Sequence, residues 1–362
     1  MPRWMWFLLP IGVAGFALSY LHAPEGLLFG LTAVGIIPLA ALIGKATEEL
    51  AYRVGSATGG LLNVTFGNVP ELIVGALAIR ANLVPLAQAT IIGSVIGNAS
   101  LVVGMSLFWG GIRNGIQRFS REVVGHHAVL MILSVASLAL PSLFAVTSPR
   151  HNVETLSAVV ACLLIASYGA YMLYDIAGLR GGRGRQPQTG DVFSGEQEAV
   201  VALVQDEQGP EWSWQWSVFW LILASIMVAL EGEVLLGTVR PVTAAAGVSE
   251  LFVGLVIIPI VGNVAEHFSA VILAGKNKMD LSFGVASGSA IQVALFVAPV
   301  LVLLSFLWHP MTLVFNPIEI AVLALVVGIF FFVSQDGESN WLEGLQLMML
   351  YSMAAIVFYF LP

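Results

Sequence analysis

Gly67-Asn68-Val69-Pro70-Glu71 returns 195 residues later as Gly262-Asn263-Val264-Ala265-Glu266. Each copy is followed, 22 residues after its glutamate, by a second match: Gly93-Ser94-Val95-Ile96 and Gly288-Ser289-Ala290-Ile291. Both copies lie in long apolar sequence. A carboxylate inside a bilayer is costly and, where it occurs, marks a functional site. Two in matching contexts point to a duplicated unit whose halves meet at one ion site.

The surroundings set the fold class. The chain is 58% hydrophobic and 10% charged, with a mean hydropathy of +0.91. A soluble chain carries about 25% charged residues, so the reading is an all-α polytopic membrane protein. Eleven spans fit, at roughly 4–22, 26–47, 57–80, 86–110, 127–147, 153–175, 216–238, 250–275, 281–307, 313–335 and 341–361. Each is long enough to cross about 30 Å of hydrocarbon. The nine tryptophans fall near span ends, where indole rings prefer to sit. Alternate loops hold 11 Lys and Arg on one side against 3 on the other, the latter being Arg80, Arg150 and Arg240. The N-terminus and the long middle loop are therefore expected to be cytoplasmic and the C-terminus outside.

The duplicated motifs fall in spans 3 and 8. The second lies five spans after the first, an odd number, so the copies enter the membrane from opposite faces. The predicted architecture is one extra N-terminal transmembrane helix (1–25) and two inverted five-helix repeats (26–175 and 213–362), joined by an acidic cytoplasmic linker (176–212). Inverted repeats of this kind are a transporter arrangement, with the site near the midplane. The linker begins with a basic glycine-rich stretch, Gly181 to Arg185. It ends with six acids and no base, and Glu196 to Gln208 reads either as a solvated linker or as a short acidic helix for cation sensing or docking.

The residue types name the chemistry. Asn68 and Glu71 are three apart, as are Asn263 and Glu266, so each pair shares a helix face. Ser94 and Asn98 are four apart, and Ser289 and Gln292 three apart. Gly67 and Gly262 allow close approach or local unwinding, and Pro70 is a further reason for a break in span 3. The convergent set is carboxylate, amide and hydroxyl oxygen, which suits Ca²⁺, Mg²⁺ or Mn²⁺ rather than Zn²⁺ or Cu⁺. Two ionised carboxylates neutralise one divalent cation. With the site empty, two close buried carboxylates cannot both stay charged and would take up protons instead. The pair holds one divalent ion or about two protons, and that competition is the core of a cation/proton antiporter.

At these residues the chain resembles a known family. Lys45-Ala46-Thr47-Glu48-Glu49-Leu50 and Gly59-Gly60-Leu61-Leu62-Asn63-Val64-Thr65-Phe66-Gly67-Asn68 are similar to the first repeat of the Ca²⁺/H⁺ exchangers of the cation/Ca²⁺ exchanger superfamily. Gly262 to His267, Lys276 to Leu281 and Gly288 to Pro299 are similar to the second. The resemblance runs from about residue 40 to the end. It implies that Glu71 and Glu266 are the central Ca²⁺ and proton ligands. It also implies supporting roles for Asn68, Asn263, Ser94, Ser289 and Gln292, and an acidic helix between the halves. Val69-Pro70 departs from the usual Ala-Thr or Ala-Val and is more reminiscent of the Na⁺/Ca²⁺ branch. Gly97-Asn98-Ala99-Ser100 also departs from the commoner pattern. These departures bear on ion selectivity.

Other residues have two readings. His267 adjoins Glu266 but points about 100° away, as a proton-transfer or selectivity group behind the ligands or as a packed histidine. Glu48 and Glu49 end span 2 as interfacial charges or gate carboxylates, and Glu231 and Glu233 occupy the corresponding part of span 7 with the same two readings. No cofactor is expected: Ca²⁺ and H⁺ are the transported substrates and lipid the surrounding partner. Nothing resembles a nucleic-acid surface, and a homo-oligomer is compatible with the chain. The single cysteine, Cys162, forms no intrachain disulfide. The six histidines are scattered and His-Glu-x-x-His is missing, so a zinc hydrolase does not fit; the chain is not expected to be an enzyme. Trp4 to Leu21 has no small-x-small cleavage site before Pro24 and is expected to be a retained helix. The short termini suggest a prokaryotic plasma membrane. The expected function is export of cytoplasmic Ca²⁺ against protons by alternating access, with Na⁺-coupled Ca²⁺ exchange or a broader divalent cation/H⁺ antiport as alternatives.

Overall fold

The structure is a computed structural model and describes residues 7–54, 59, 62, 65–146, 150–176 and 211–361. Trp4, Trp6, much of the first part of span 3 and the Glu196–Gln208 segment lie outside the described residues.

The apolar runs form helices because a bilayer leaves backbone groups no other partner. In order they are α1 (Leu9–Ser19), α2 (Glu25–Val54), α3 (Val69–Arg80), α4 (Val84–Asn114), α5 (Arg121–Ala145), α6 (Arg150–Ile176), α7 (Trp214–Ala246), α8 (Glu250–Gly262), α9 (Val264–Gly275), α10 (Met279–Ser305), α11 (Pro317–Gln335) and α12 (Trp341–Phe360). Among the described residues eight helices are long and apolar enough to cross a membrane, or nine if α8 and α9, bent by 61° at Asn263, form one span. The chain is a polytopic helical membrane protein. α1 is apolar but only 11 residues long. α3 is the second half of the expected third span.

Burial sorts the helices into layers. In α4 and α10, 83% and 78% of the most apolar window is buried, so these two form the centre. In α5, α6, α7, α11 and α12 the share is 28–33%, which leaves most of each surface for lipid. α2 packs along α7, and α1 lies on α2.

The loops gather at two ends. At one end β1 (Gln117–Arg118) pairs antiparallel with β2 (Glu338–Ser339). There Gln117 Nε2 also donates to Ala274 O at 2.9 Å, and Asp280 accepts from Ser120 N at 2.6 Å. At the other end Gln88 Nε2 donates to Thr312 O and Val314 O at 2.7 and 3.0 Å, and Leu313 N donates to Ser157 Oγ at 3.0 Å. Loops expected on the same side of the membrane are thus bonded to one another. One boundary moves inward: α11 starts at Pro317, not 313, because Asn316 caps it with a full capping box to Glu319 and Pro317 occupies its first turn.

Candidate cation site between the two motifs

Both motifs break a helix at the same residue. Asn68 has φ −95°, ψ 15° and Asn263 has φ −102°, ψ 12°, outside the helical basin. Each Asn carbonyl then opens a new helix, accepting from Leu72 N at 3.0 Å and from His267 N at 3.0 Å. Glu71 and Glu266 therefore sit in the first turn of α3 and α9, where unpaired N–H groups and the helix dipole favour negative charge. Pro70 is not what makes the break. It occupies the second position of α3, where no N–H is needed, and the second copy breaks equally with Ala265 in its place.

A tight crossing brings the motifs together. A Cβ on Gly93 would collide with the backbone of Leu255, so α4 meets α8 backbone to backbone at this point. Three π-helical segments lie beside the crossing: Gly97–Val102 in α4, Val253–Ile257 in α8 and Val293–Val297 in α10. Such wide turns recur at functional sites. They place Asn98 inside one π segment and Gln292 immediately before another.

The side-chain bonds of the site run between the two halves. Asn68 Nδ2 donates to Gln292 Oε1 at 2.5 Å, Asn98 Nδ2 to Ser289 Oγ at 3.0 Å, and Asn263 Nδ2 to Ser94 Oγ at 3.4 Å. Asn263 Nδ2 also reaches Pro259 O at 3.0 Å. Ser289 lies beside Glu266, and Glu71 and Glu266 lie close enough to feel one another's charge. Glu71, Asn68, Ser94, Asn98, Asn263, Ser289 and Gln292 are all buried.

Among the described residues four buried oxygens here have no hydrogen-bond partner: Glu71 Oε2, Glu266 Oε2, Asn98 Oδ1 and Asn263 Oδ1. Buried acceptors normally find a donor. Two carboxylate and two amide oxygens left over, two on each half, form a donor set for a hard cation. Among the described residues no cluster of three or more His, Cys, Asp or Glu occurs, so this set depends on amide oxygens beside its two carboxylates. A narrow cleft leads to Glu71, walled by Phe29, Ala33 and Ile36 of α2, Thr90 of α4 and Leu235 of α7. It lies toward the end where α2 begins and α3 finishes.

The other candidates are elsewhere. Buried His267 has no hydrogen bond to these side chains among the described residues. Glu49 accepts from Glu211 N and Trp212 N at 3.3 and 3.2 Å and pairs with Lys45 at 3.0 Å, while Arg53 donates to Trp212 O. It anchors the approach to α7, with half-buried Glu48 beside it. Exposed Glu233 pairs with Arg80 at 2.8 Å. Glu231 is buried outside this site. Sequence reasoning missed Thr90, one turn before Ser94, a four-residue spacing that was there to be read. It also missed the apolar cleft wall, which carries no signal in a uniformly apolar chain.

A family model described as sodium/calcium exchanger protein matches residues 25–177 and 216–360. The chain is 40% identical over 364 residues to the "Ca(2+)/H(+) antiporter" of Aphanothece halophytica, covering 98% of this chain and 95% of that one. It is 38% identical over 354 residues to the "Ca(2+)/H(+) antiporter ChaA" of Bacillus subtilis, covering 97% and 96%. The solved structure of native YfkE superposes with a TM-score of 0.83 at 35% identity, covering 99% of this chain and 100% of that one.

Proposed function

The chain belongs to the sodium/calcium exchanger protein family, and from that premise we propose that it is a secondary antiporter exporting cytoplasmic Ca²⁺ in exchange for protons. The observation that carries this reading is the set of oxygens without a hydrogen-bond partner among the described residues, two from each half, around buried Glu71 and half-buried Glu266, whose charges interact. Ionised, Glu71 and Glu266 balance one Ca²⁺, with Asn68, Ser94, Asn98, Asn263, Ser289 and Gln292 supplying or orienting neutral oxygens. Without Ca²⁺ the same carboxyls carry protons, because two uncompensated charges in a bilayer are too costly. His267 stands behind Glu266 as a candidate for proton transfer or selectivity.

The proposed architecture is eleven transmembrane helices. An extra helix (1–25) precedes inverted repeats at 26–175 and 213–362, joined by the cytoplasmic linker 176–212. The matching breaks at Asn68 and Asn263 support it, as does the sharing of each end by alternate loops. With more Lys and Arg at the β1–β2 end, that end is cytoplasmic and the C-terminus outside. The bacterial relatives support a plasma membrane. The cleft then leads from Glu71 toward the outside, as one stage of alternating access.

The test is Ca²⁺ uptake into inside-out vesicles with an imposed proton gradient. Accelerated uptake when the lumen is acidic is expected, and flux indifferent to the gradient would overturn proton coupling. Pro70, the residue that pointed to Na⁺ coupling, has a local reason in the first turn of α3, so no structural observation favours that alternative.

A further inference from the structure

Glu231 takes no part in the site above. It lies on α7 one helical turn before Leu235, which walls the cleft. It is 0% exposed, and among the described residues neither carboxyl oxygen has a hydrogen-bond partner. Two glycines of α1 and α2 lie against it. α1 crosses α2 at Gly12 and Gly35, and a Cβ built on Gly12 would fall 2.8 Å from Gly35 Cα and 3.1 Å from Glu231 Oε1. A Cβ on Gly35 would collide with Gly12 and lie 3.6 Å from Glu231 Cδ. Two facing glycines thus make a notch that a carboxyl group fills, closed by three helices.

Among the described residues no counter-charge reaches the notch. α1 has no charged residue. α2 carries Glu25 at its start and Lys45, Glu48, Glu49 and Arg53 near its far end, with Lys45 paired to Glu49. α3 offers Glu71 and Arg80, and Arg80 is paired with Glu233 of α7. Arg240 of α7 is paired with Glu250 of α8. None of them acts electrostatically on Glu231. An unpaired buried carboxylate ion is prohibitive. A metal ion needs about six or more oxygen ligands, and the notch offers the carboxyl group alone. A proton is the one ligand that fits.

We propose that Glu231 is a membrane-embedded proton-binding site, separate from the Glu71–Glu266 pair, whose bound proton keeps α1 seated on α2 and α7. The equilibrium is protonation of the carboxylate by a proton from water. Its loss obliges the carboxylate to seek water, and the notch must open for it.

The test uses the full chain in lipid vesicles and needs no transport. Infrared spectra of wild type and Glu231→Gln at neutral pH should differ by the carbonyl stretch of a protonated carboxyl group, and saturating Ca²⁺ should leave that band in place. Spin labels at the exposed positions Ala17→Cys on α1 and Leu27→Cys on α2, in a Cys162→Ser background, should report one separation at neutral pH. That separation should spread as alkali removes the proton, and it should ignore pH when Glu231→Gln is added. Carboxylate bands from Glu231 at neutral pH, a band abolished by Ca²⁺, or a label separation insensitive to pH in the presence of Glu231 would each overturn the proposal. The Ca²⁺ and pH responses are read with Glu231 in place, so they decide the matter even where the Gln variant fails to fold.

Discussion

Glu71 and Glu266 are the residues on which the proposed exchange turns. Glu71→Gln and Glu266→Gln keep shape and remove the titratable charge, so each should abolish gradient-driven Ca²⁺ flux while the purified protein stays folded by circular dichroism. A variant transporting at the wild-type rate would remove that residue from the site. Competition gives a second expectation. Ca²⁺ needs both carboxylates ionised, so its apparent affinity falls as pH falls, by up to about 100-fold per pH unit where both carboxyls take up protons. Binding isotherms across pH measure this, and a slope near zero would mean that Ca²⁺ does not displace protons. Both glutamates and their same-face Asn were legible in the sequence because duplication repeats them in register. The partners were not. Asn68 meets Gln292 and Asn263 meets Ser94 only once the halves dock, and no local spacing encodes that.

At the scale of the element, the half-helices α3 and α9 owe their starts to Asn68 and Asn263, and the crossing of α4 with α8 owes its closeness to Gly93. Gly93→Val should destabilise the protein by about 1–3 kcal/mol through overpacking and impair transport with every ligand present. Thermal unfolding in detergent checks the first effect and vesicle flux the second; unchanged stability would mean that α4 and α8 separate freely. The break in the third span was expected from Gly67 and Pro70, yet Asn263 with Ala265 shows that proline is not required. The π segments were not legible at all. They depend on how neighbouring helices fit together, and an apolar run such as Val293 to Val297 reads as ordinary helix.

At the scale of the whole molecule, α4 and α10 form a buried centre and the surrounding helices face lipid. Proton coupling at one shared site predicts that replacing Na⁺ by choline leaves Ca²⁺ flux unchanged while collapsing the proton gradient stops it. A flux that fell with choline would support the Na⁺-coupled alternative. The polytopic helical class was plain from composition, and the grouping of loops at two ends followed from counting spans. The notch under α1 was not, because Gly12 and Gly35 are two among 37 glycines and the significance of Glu231 depends on their facing each other.

The bonds Asn68–Gln292, Asn98–Ser289 and Asn263–Ser94 have a genetic consequence. Neither half holds the whole of the proposed ligand set, and the two are bonded to each other through their interiors. Residues 1–180 and 205–362, expressed together as separate polypeptides, should therefore reassemble and complement a strain lacking its own Ca²⁺ exporter. Either fragment alone should fail.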